Sequence, residues 1–213
     1  MKDMYEVKFF ENVQYVVKYP KNYDATKKYP TIFFLHGSGS RGTDAYAMRK
    51  NDFFTVTEYL ENFDFVTVAP MCHEDTWFDV WQSLCALARA VPDMPFCDER
   101  RIYCIGVSMG GYAAWQMGMS LPHVFAAMVP ICGGGMYWNA ERLKNIPIWA
   151  FHGADDTLVY PEESAKMVEA VNSAGGNAYL TVCEGVAHPV WLNVYSDAEV
   201  FEWLLAQKKE YGK

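Results

Sequence analysis

A serine, a pair of aspartates and a histidine sit in this chain where attack on a carbonyl group would need them. Gly106-Val107-Ser108-Met109-Gly110 follows the apolar run Arg101-Ile102-Tyr103-Cys104-Ile105 and precedes the helix-like Gly111-Tyr112-Ala113-Ala114-Trp115-Gln116-Met117. Strand, then Gly-x-Ser-x-Gly, then helix predicts a sharp turn that lifts the serine hydroxyl into the open. The positive end of the helix would lie behind it. Gly106 and Gly110 remove the side chains that such a turn would crush, and Gly111, Ala113 and Ala114 let the helix lie close to a sheet. The competing reading is a chance glycine pattern at an ordinary strand-to-helix turn. The residues elsewhere in the chain decide between the two.

A serine hydroxyl is a poor nucleophile unless a base takes its proton during attack, and neutral imidazole suits that role near pH 7. A carboxylate then fixes the imidazole tautomer and stabilises the imidazolium. The candidates follow apolar runs directly, as expected at the carboxyl ends of strands in an open parallel sheet. Asp155 and Asp156 follow Ile146–Phe151, and His188 follows Ala178–Cys183. His36-Gly37-Ser38-Gly39 follows Thr31–Leu35. The order Ser, Asp, His is that of an α/β-type hydrolytic triad. A tetrahedral oxyanion needs preorganised donors; the expected ones are the backbone N–H groups of Met109 and Ser38.

The other histidines are weaker candidates. His36 and His152 belong to His-Gly turns and read as structural, as does His123 in a helix-ending turn. His73 follows a strand end and is the rival base, but it precedes the serine. Cys72, His73, Glu74 and Asp75 have metal-ligand chemistry, yet adjacent residues rarely converge on one ion, so no metal is expected. Gly37-Ser38-Gly39 lacks the later glycine and helix context of a phosphate or dinucleotide loop, and no cofactor is expected.

The elements that must carry these groups alternate. A hairpin of Val7–Phe10 and Val13–Tyr19 comes first. Thr31–Leu35 and Phe65–Ala69 read as strands buried on both faces, with a helix from Asp52 to Glu61 between them. Asp79–Val91 has helical periodicity, with Trp81, Leu84, Cys85, Leu87 and Ala88 on one side. After the Ser108 turn come strands at Ala127–Cys132, Ile146–Phe151 and Ala178–Cys183, a helix at Pro161–Ser173 and a last helix at Ser196–Lys208 capped by Ser196. This order predicts an α/β fold: a mostly parallel sheet with helices on both faces and an N-terminal antiparallel hairpin. Residues 1–213 read as one domain. Only Gly133–Asn145 separates two late strands, too little for a lid domain, so the site is expected to be open and shallow.

Of 213 residues 51% are hydrophobic and 21% charged, enough for a substantial core. The net charge of −8 excludes a phosphate-neutralising surface and disfavours nucleic acid and anionic membranes as partners. No apolar run approaches the roughly 18 residues of a spanning helix. Met1-Lys2-Asp3-Met4-Tyr5-Glu6 lacks the apolar core of an export signal. The six cysteines form no C-x-x-C pair and read as reduced, which places the protein in the cytoplasm. A homo-oligomer stays open.

The chain resembles the α/β-hydrolase superfamily, in particular its small carboxylesterase and predicted-peptidase esterases. The residues that carry the resemblance are Tyr29 to Asp44, the Gly106–Gly110 turn, His152-Gly153-Ala154-Asp155-Asp156-Thr157-Leu158-Val159 and His188-Pro189-Val190-Trp191. The family pattern His-Gly-x-x-Asp-x-x-Val implies that Asp156 is the acid, with Asp155 a turn residue. Ser40 stands before Arg41 where relatives usually carry an acidic residue, and Cys72-His73 replaces a common Cys-Pro. The resemblance implies a cofactor-independent serine carboxylesterase for small esters with short or aromatic acyl groups. A peptidase or thioesterase would use the same triad, whereas a non-catalytic binding protein on this fold would have reason to lose a member of it. Trp77, Tyr137, Trp138 and Trp191 are expected on loops around the pocket, and Trp81 in the core.

Overall fold

The computed structural model describes residues 4–61 and 63–210. Its centre is an eight-stranded sheet with the order β1-β2-β4-β3-β5-β6-β7-β8. The strands are β1 (Tyr5–Phe10), β2 (Val13–Lys18), β3 (Tyr29–Leu35), β4 (Val66–Pro70), β5 (Cys97–Val107), β6 (Ala127–Ile131), β7 (Ile148–Gly153) and β8 (Ala178–Cys183). β1 and β2 form the expected antiparallel hairpin, and β2 joins β4 antiparallel. Every pairing from β4 onward to β8 is parallel. The central strands β3, β4 and β6 are buried along their whole length, which explains their unbroken apolar sequences.

Alternation along these strands sorts the core into two layers. Phe33, Leu35, Cys104 and Ala150 pack under α2 (Trp81–Ala90), α3 (Met109–Ser120) and α4 (Glu162–Ser173). Ile32, Phe34, Ile105 and Phe151 point the other way, under α1 (Asp52–Thr57), α5 (Trp191–Ser196) and α6 (Ala198–Ala206). In that second layer Phe34 stacks on Phe53 at 4.2 Å between ring centres, and Tyr195 meets Phe53 edge-on at 5.1 Å. All six cysteines are unpaired. Among the described residues no helix is long and apolar enough to cross a membrane.

Several elements differ from the sequence expectation: α1 ends at Thr57 rather than Glu61, β7 starts two residues later than Ile146 and runs on through His152 to Gly153, and two further differences have visible local reasons. α2 begins at Trp81 rather than Asp79, because the Asp79 carboxylate accepts hydrogen bonds from the Thr76 N–H and hydroxyl and holds a turn. The final helix is divided in two. Ser196 ends α5 with its hydroxyl turned back to the Leu192 and Asn193 carbonyls, and Asp197 caps α6 by accepting from the Glu199 N–H. Between Ser38 and α1 the chain also makes short 3₁₀ turns at Ser38–Ser40 and Ala45–Lys50. Met1-Lys2-Asp3, part of the segment read for an export signal, lies outside the described residues.

The tightest packing is at the junction of β3, β5 and α3. A Cβ on Gly110 would collide with the Leu35 carbonyl, and one on Gly106 with the Gly110 carbonyl. Gly110→Ala is therefore expected to lower stability by about 3 kcal/mol or more, at the upper end of overpacking costs. Urea unfolding of the variant beside the wild type measures this; a difference under about 1 kcal/mol would mean that the junction yields where it is described here as rigid.

Candidate active site

Ser108 occupies the turn between β5 and α3 with φ 55° and ψ −116°. Such a conformation costs a residue with a side chain roughly 1–3 kcal/mol and persists only where the surroundings impose it. Here the Ser108 N–H donates to the Ile131 carbonyl at 2.9 Å, and its own carbonyl accepts from the Tyr112 N–H at 3.1 Å. The sheet and the first turn of α3 thus clamp the residue from both sides, and its hydroxyl projects toward the loops after β3 and β8.

Those loops deliver the expected partners. His188 Nε2 lies 2.9 Å from Ser108 Oγ, and its Nδ1 lies 2.6 Å from Asp156 Oδ2. An ionised carboxylate only accepts, so Nδ1 carries the hydrogen and Nε2 turns its lone pair to the hydroxyl. A base in this position can take the serine proton as Oγ attacks an electrophile.

Asp156 follows β7 and is buried. Its Oδ1 accepts from the Leu158 and Val159 N–H groups at 2.9 and 3.0 Å. Burial pushes its pKa up, but the bonds from His188 and the two N–H groups outweigh burial, and the carboxyl is held below its ordinary value. Asp155 is exposed and turned away, with its backbone N–H bonded to the Val186 carbonyl.

His152 is more than a turn residue. Its Nε2 lies 2.8 Å from the Val159 carbonyl, which can only accept, so Nε2 carries a hydrogen that also faces Asp156 Oδ2 at 3.3 Å. Its Nδ1 meets Ser164 Oγ at 2.8 Å. His36 is structural as expected: its Nε2 accepts from the Cys72 N–H, and burial pushes its pKa down to about 4. His73 lies against Glu74, on a surface hollow shared with Phe9, Asn12 and Thr43, apart from Ser108.

Cys132, which the sequence did not single out, sits beneath these groups with φ 40°. Its sulfur, a carboxylate oxygen of Asp156 and a ring nitrogen of His188 lie within 4.8 Å of one another. Burial pushes the thiol pKa up to about 12, against a smaller opposing effect of a bond with the Ser108 backbone. A neutral thiol beside an acid and an imidazole already bonded to each other makes a poor metal site.

Gly37 packs against Ser108: a Cβ there would stand 3.5 Å from the serine Cβ. Ser38 and Ser108 line one hollow of about 300 Å³ together with Ser40, Asn51, Asp52, His188, Trp191 and Tyr195. Met109 opens α3, where N–H groups have no partner within the helix. Ser38, on the wall of the same hollow, and Met109, next to Ser108 in the chain, are the residues whose amides are expected as oxyanion donors.

The aromatic residues are arranged differently from expectation, with one exception. Trp191 does line the hollow, edge-on to His188 at 5.7 Å, and its indole donates to Asp52 Oδ2 at 3.0 Å. Trp77 does not: it is fully buried, because its indole N–H donates to the His36 carbonyl at 3.0 Å and draws the ring into the core. Tyr137 and Trp138 are 53% and 72% exposed on the outer side of a 3₁₀ turn. The preceding Gly135 packs closely on Trp115 and Met167. Trp81, expected in the core, packs against it but is only partly buried, and it also borders a second, apolar cleft with Phe78, Tyr112 and Met136.

The parallel sheet with its antiparallel edge and the serine at the sharp strand-to-helix turn define a protein of the α/β-hydrolase fold. A family model described as "Dienelactone hydrolase family" matches residues 62–197, more than half of the chain, and the protein belongs to that family. A solved structure described as a thermostable esterase superposes with a TM-score of 0.84 at 32% identity, over 97% of this chain and 64% of that one. Est1E from Butyrivibrio proteoclasticus has a TM-score of 0.73 at 14% identity, over 95% of this chain and 99% of its own, a likeness of fold. A curated relative from Aspergillus terreus, "Probable dipeptidyl-peptidase 5", is 25% identical over 154 residues. That match takes in 64% of this chain but spans only 20% of the relative's length.

The depressed pKa of Asp156 has a consequence for stability. A carboxyl more acidic when folded adds stability that is fully present above its unfolded pKa of about 3.9 and is lost as pH falls through the lower folded value. Asp156→Asn removes that increment, so the stability gap between wild type and variant is expected to narrow from pH 7 to pH 3. Urea midpoints across that range measure it, and a gap independent of pH would contradict an ionised, hydrogen-bonded Asp156.

Proposed function

We propose that this hydrolase is a serine esterase that cleaves carboxylic esters with short or aromatic acyl groups. The observation that carries the reading is the hydrogen-bonded chain from Ser108 through His188 to Asp156, 2.9 and 2.6 Å long at its two links, on a strained turn. Ser108 Oγ attacks the ester carbonyl while His188 Nε2 takes its proton. The carbonyl electrons move onto oxygen, where the Ser38 and Met109 amides stabilise the charge. Collapse of the tetrahedral intermediate expels the alkoxide, which leaves as the alcohol with the proton from His188. Water then repeats the sequence on the acyl-serine: His188 takes a proton from it, Ser108 leaves with that proton, and the acid is released. Asp156 holds the imidazole in the tautomer that both halves require.

Peptide hydrolysis is a second reading, and the name of the Aspergillus terreus relative favours it. The first substrate remains an ester, because an alkoxide leaves more readily than an amine. The partner on the esterase reading is a small-molecule ester rather than nucleic acid or a membrane. The compartment is the reducing cytoplasm, in keeping with six unpaired cysteines.

Hydrolysis of p-nitrophenyl acetate by wild type and Ser108→Ala, beside intact-protein mass after a fluorophosphonate probe, tests the mechanism. The variant is expected to lose roughly 10⁴-fold or more in kcat, together with the covalent label. Thermal unfolding of the variant should stay near that of the wild type. Equal activity in the two proteins would end the serine mechanism. The corresponding amide, p-nitroacetanilide, is expected to react far more slowly than the ester, and the reverse order would favour the peptidase.

A further inference from the structure

A second concavity near the serine remains without a role. It is an apolar cleft of about 510 Å³ lined by Phe78, Trp81, Tyr112, Gln116, the Gly134–Gly135 backbone and Met136. Phe78 and Trp81 meet at 5.4 Å with their rings tilted 32°, and Phe78 is 51% exposed although it is large and apolar. Two bare glycines replace side chains on the facing wall. A Cβ on Gly134 would clash with Glu163 and stand 3.2 Å from the Tyr112 ring, so no larger residue fits there.

The cleft is connected to Ser108 through two short routes. Tyr112 is one helical turn beyond the serine and donates its N–H to the Ser108 carbonyl. The Ser108 N–H bonds Ile131, and the next three residues, Cys132, Gly133 and Gly134, lead from beneath the serine to the cleft wall. The two concavities lie on opposite faces of the sheet. The hollow with His188 and Trp191 is on the side of α1 and α5, and the cleft on the side of α2 and α3.

That placement assigns the halves of a substrate. The leaving oxygen must receive its proton from His188 Nε2, so the alcohol departs through the hollow that His188 lines. That hollow also holds Ser40, Asn51 and Asp52, which suit a polar alcohol. The acyl group extends the other way, across the start of α3. We propose that the Phe78–Trp81–Tyr112–Met136 cleft is the acyl subsite and that it accepts a flat, uncharged aromatic acyl group. Three aromatic side chains, a thioether and a glycine-lined wall favour a planar group over a branched one. The Tyr112 pKa is raised by burial and by the Glu163 and Asp156 carboxylates nearby, and the same charges repel an anionic acyl tail. This inference rests on the esterase reading and adds the residues that select its substrate.

The test compares kcat/KM for methyl cinnamate, methyl octanoate and phenyl acetate in wild type, Trp81→Ala and Phe78→Ala, with thermal unfolding to confirm the fold. The ratio of methyl cinnamate to phenyl acetate is expected to fall about tenfold in each variant, the usual effect of losing one apolar contact in a pocket. An unchanged or increased ratio would overturn the assignment. A wild-type preference for methyl octanoate over methyl cinnamate would overturn its aromatic character. Calorimetric titration of methyl cinnamate into Ser108→Ala, with and without Trp81→Ala, separates this inference from the esterase reading. Binding lost with Trp81, in a protein whose wild type hydrolyses none of the esters, would sink the esterase reading and keep the subsite. Binding indifferent to Trp81 would sink the subsite.

Discussion

Close approach of backbone to backbone at the end of β5 is the constraint on which the rest of the site depends. Ser108 reaches φ 55° because Gly106 and Gly110 let β5, α3 and the Leu35 carbonyl at the end of β3 come together without side chains between them. The strain at one residue is balanced by the hydrogen bonds of the parallel ladder and by two buried layers of apolar side chains. With Ser108 fixed, Gly37 lies against it at ordinary contact distance. The loop after β3 then brings Ser38 to the same hollow. A turn of this kind explains why a rigid sheet, rather than a flexible loop, carries Ser108.

The acid presents the opposite problem, a buried charge. Asp156 is almost fully removed from solvent and would be neutral there if unassisted. Four hydrogens face it instead: Nδ1–H of His188, Nε2–H of His152, and the N–H groups of Leu158 and Val159. His152 is itself fixed by Val159 and Ser164, and the Ser164 hydroxyl lies 2.8 Å from the Gly133 carbonyl. The chain of contacts therefore runs from β7 through α4 to the loop after β6, which forms one wall of the apolar cleft. Orientation of His188 and the shape of the cleft depend on the same buried hydrogen bonds.

The sheet, its hairpin, and the positions of Ser108, Asp156 and His188 were legible because each leaves a local mark in the chain. Apolar runs report strands buried on both faces, and a glycine at each side of the serine reports a turn that only small residues allow. The division of the last helix was harder to see, since Ser196 and Asp197 are both good caps and only the backbone path decides which one is used. Aromatic residues were the least legible. Trp77 enters the core because of one hydrogen bond to a carbonyl 41 positions earlier, a contact that no periodicity encodes. Trp81 was read from helical spacing as core and does pack against it, but at the first residue of α2 it is only partly covered and also borders the apolar cleft. His152 was read as part of a turn but lies within β7, paired with Val182, and its approach to Asp156 depends on how the following turn closes.

The two concavities flanking Ser108 follow from the same topology. Here α2, α3 and α4 cover one face of the sheet and α1, α5 and α6 the other, so the loop before α2 and the loop before α5 emerge on opposite sides of the strand that ends at the serine. Each loop carries aromatic residues, Phe78 beside α2 and Trp191 at the start of α5, but their surroundings differ. Trp191 is tied to Asp52 and borders Asn51 and Ser40, whereas Phe78 and Trp81 face glycines and a methionine. His188 sits on one side of Ser108, so on the proposed esterase reading it would give direction to the bond that breaks. The polarity of each side would then decide which half of a substrate it suits, without any residue beyond those the fold already places there.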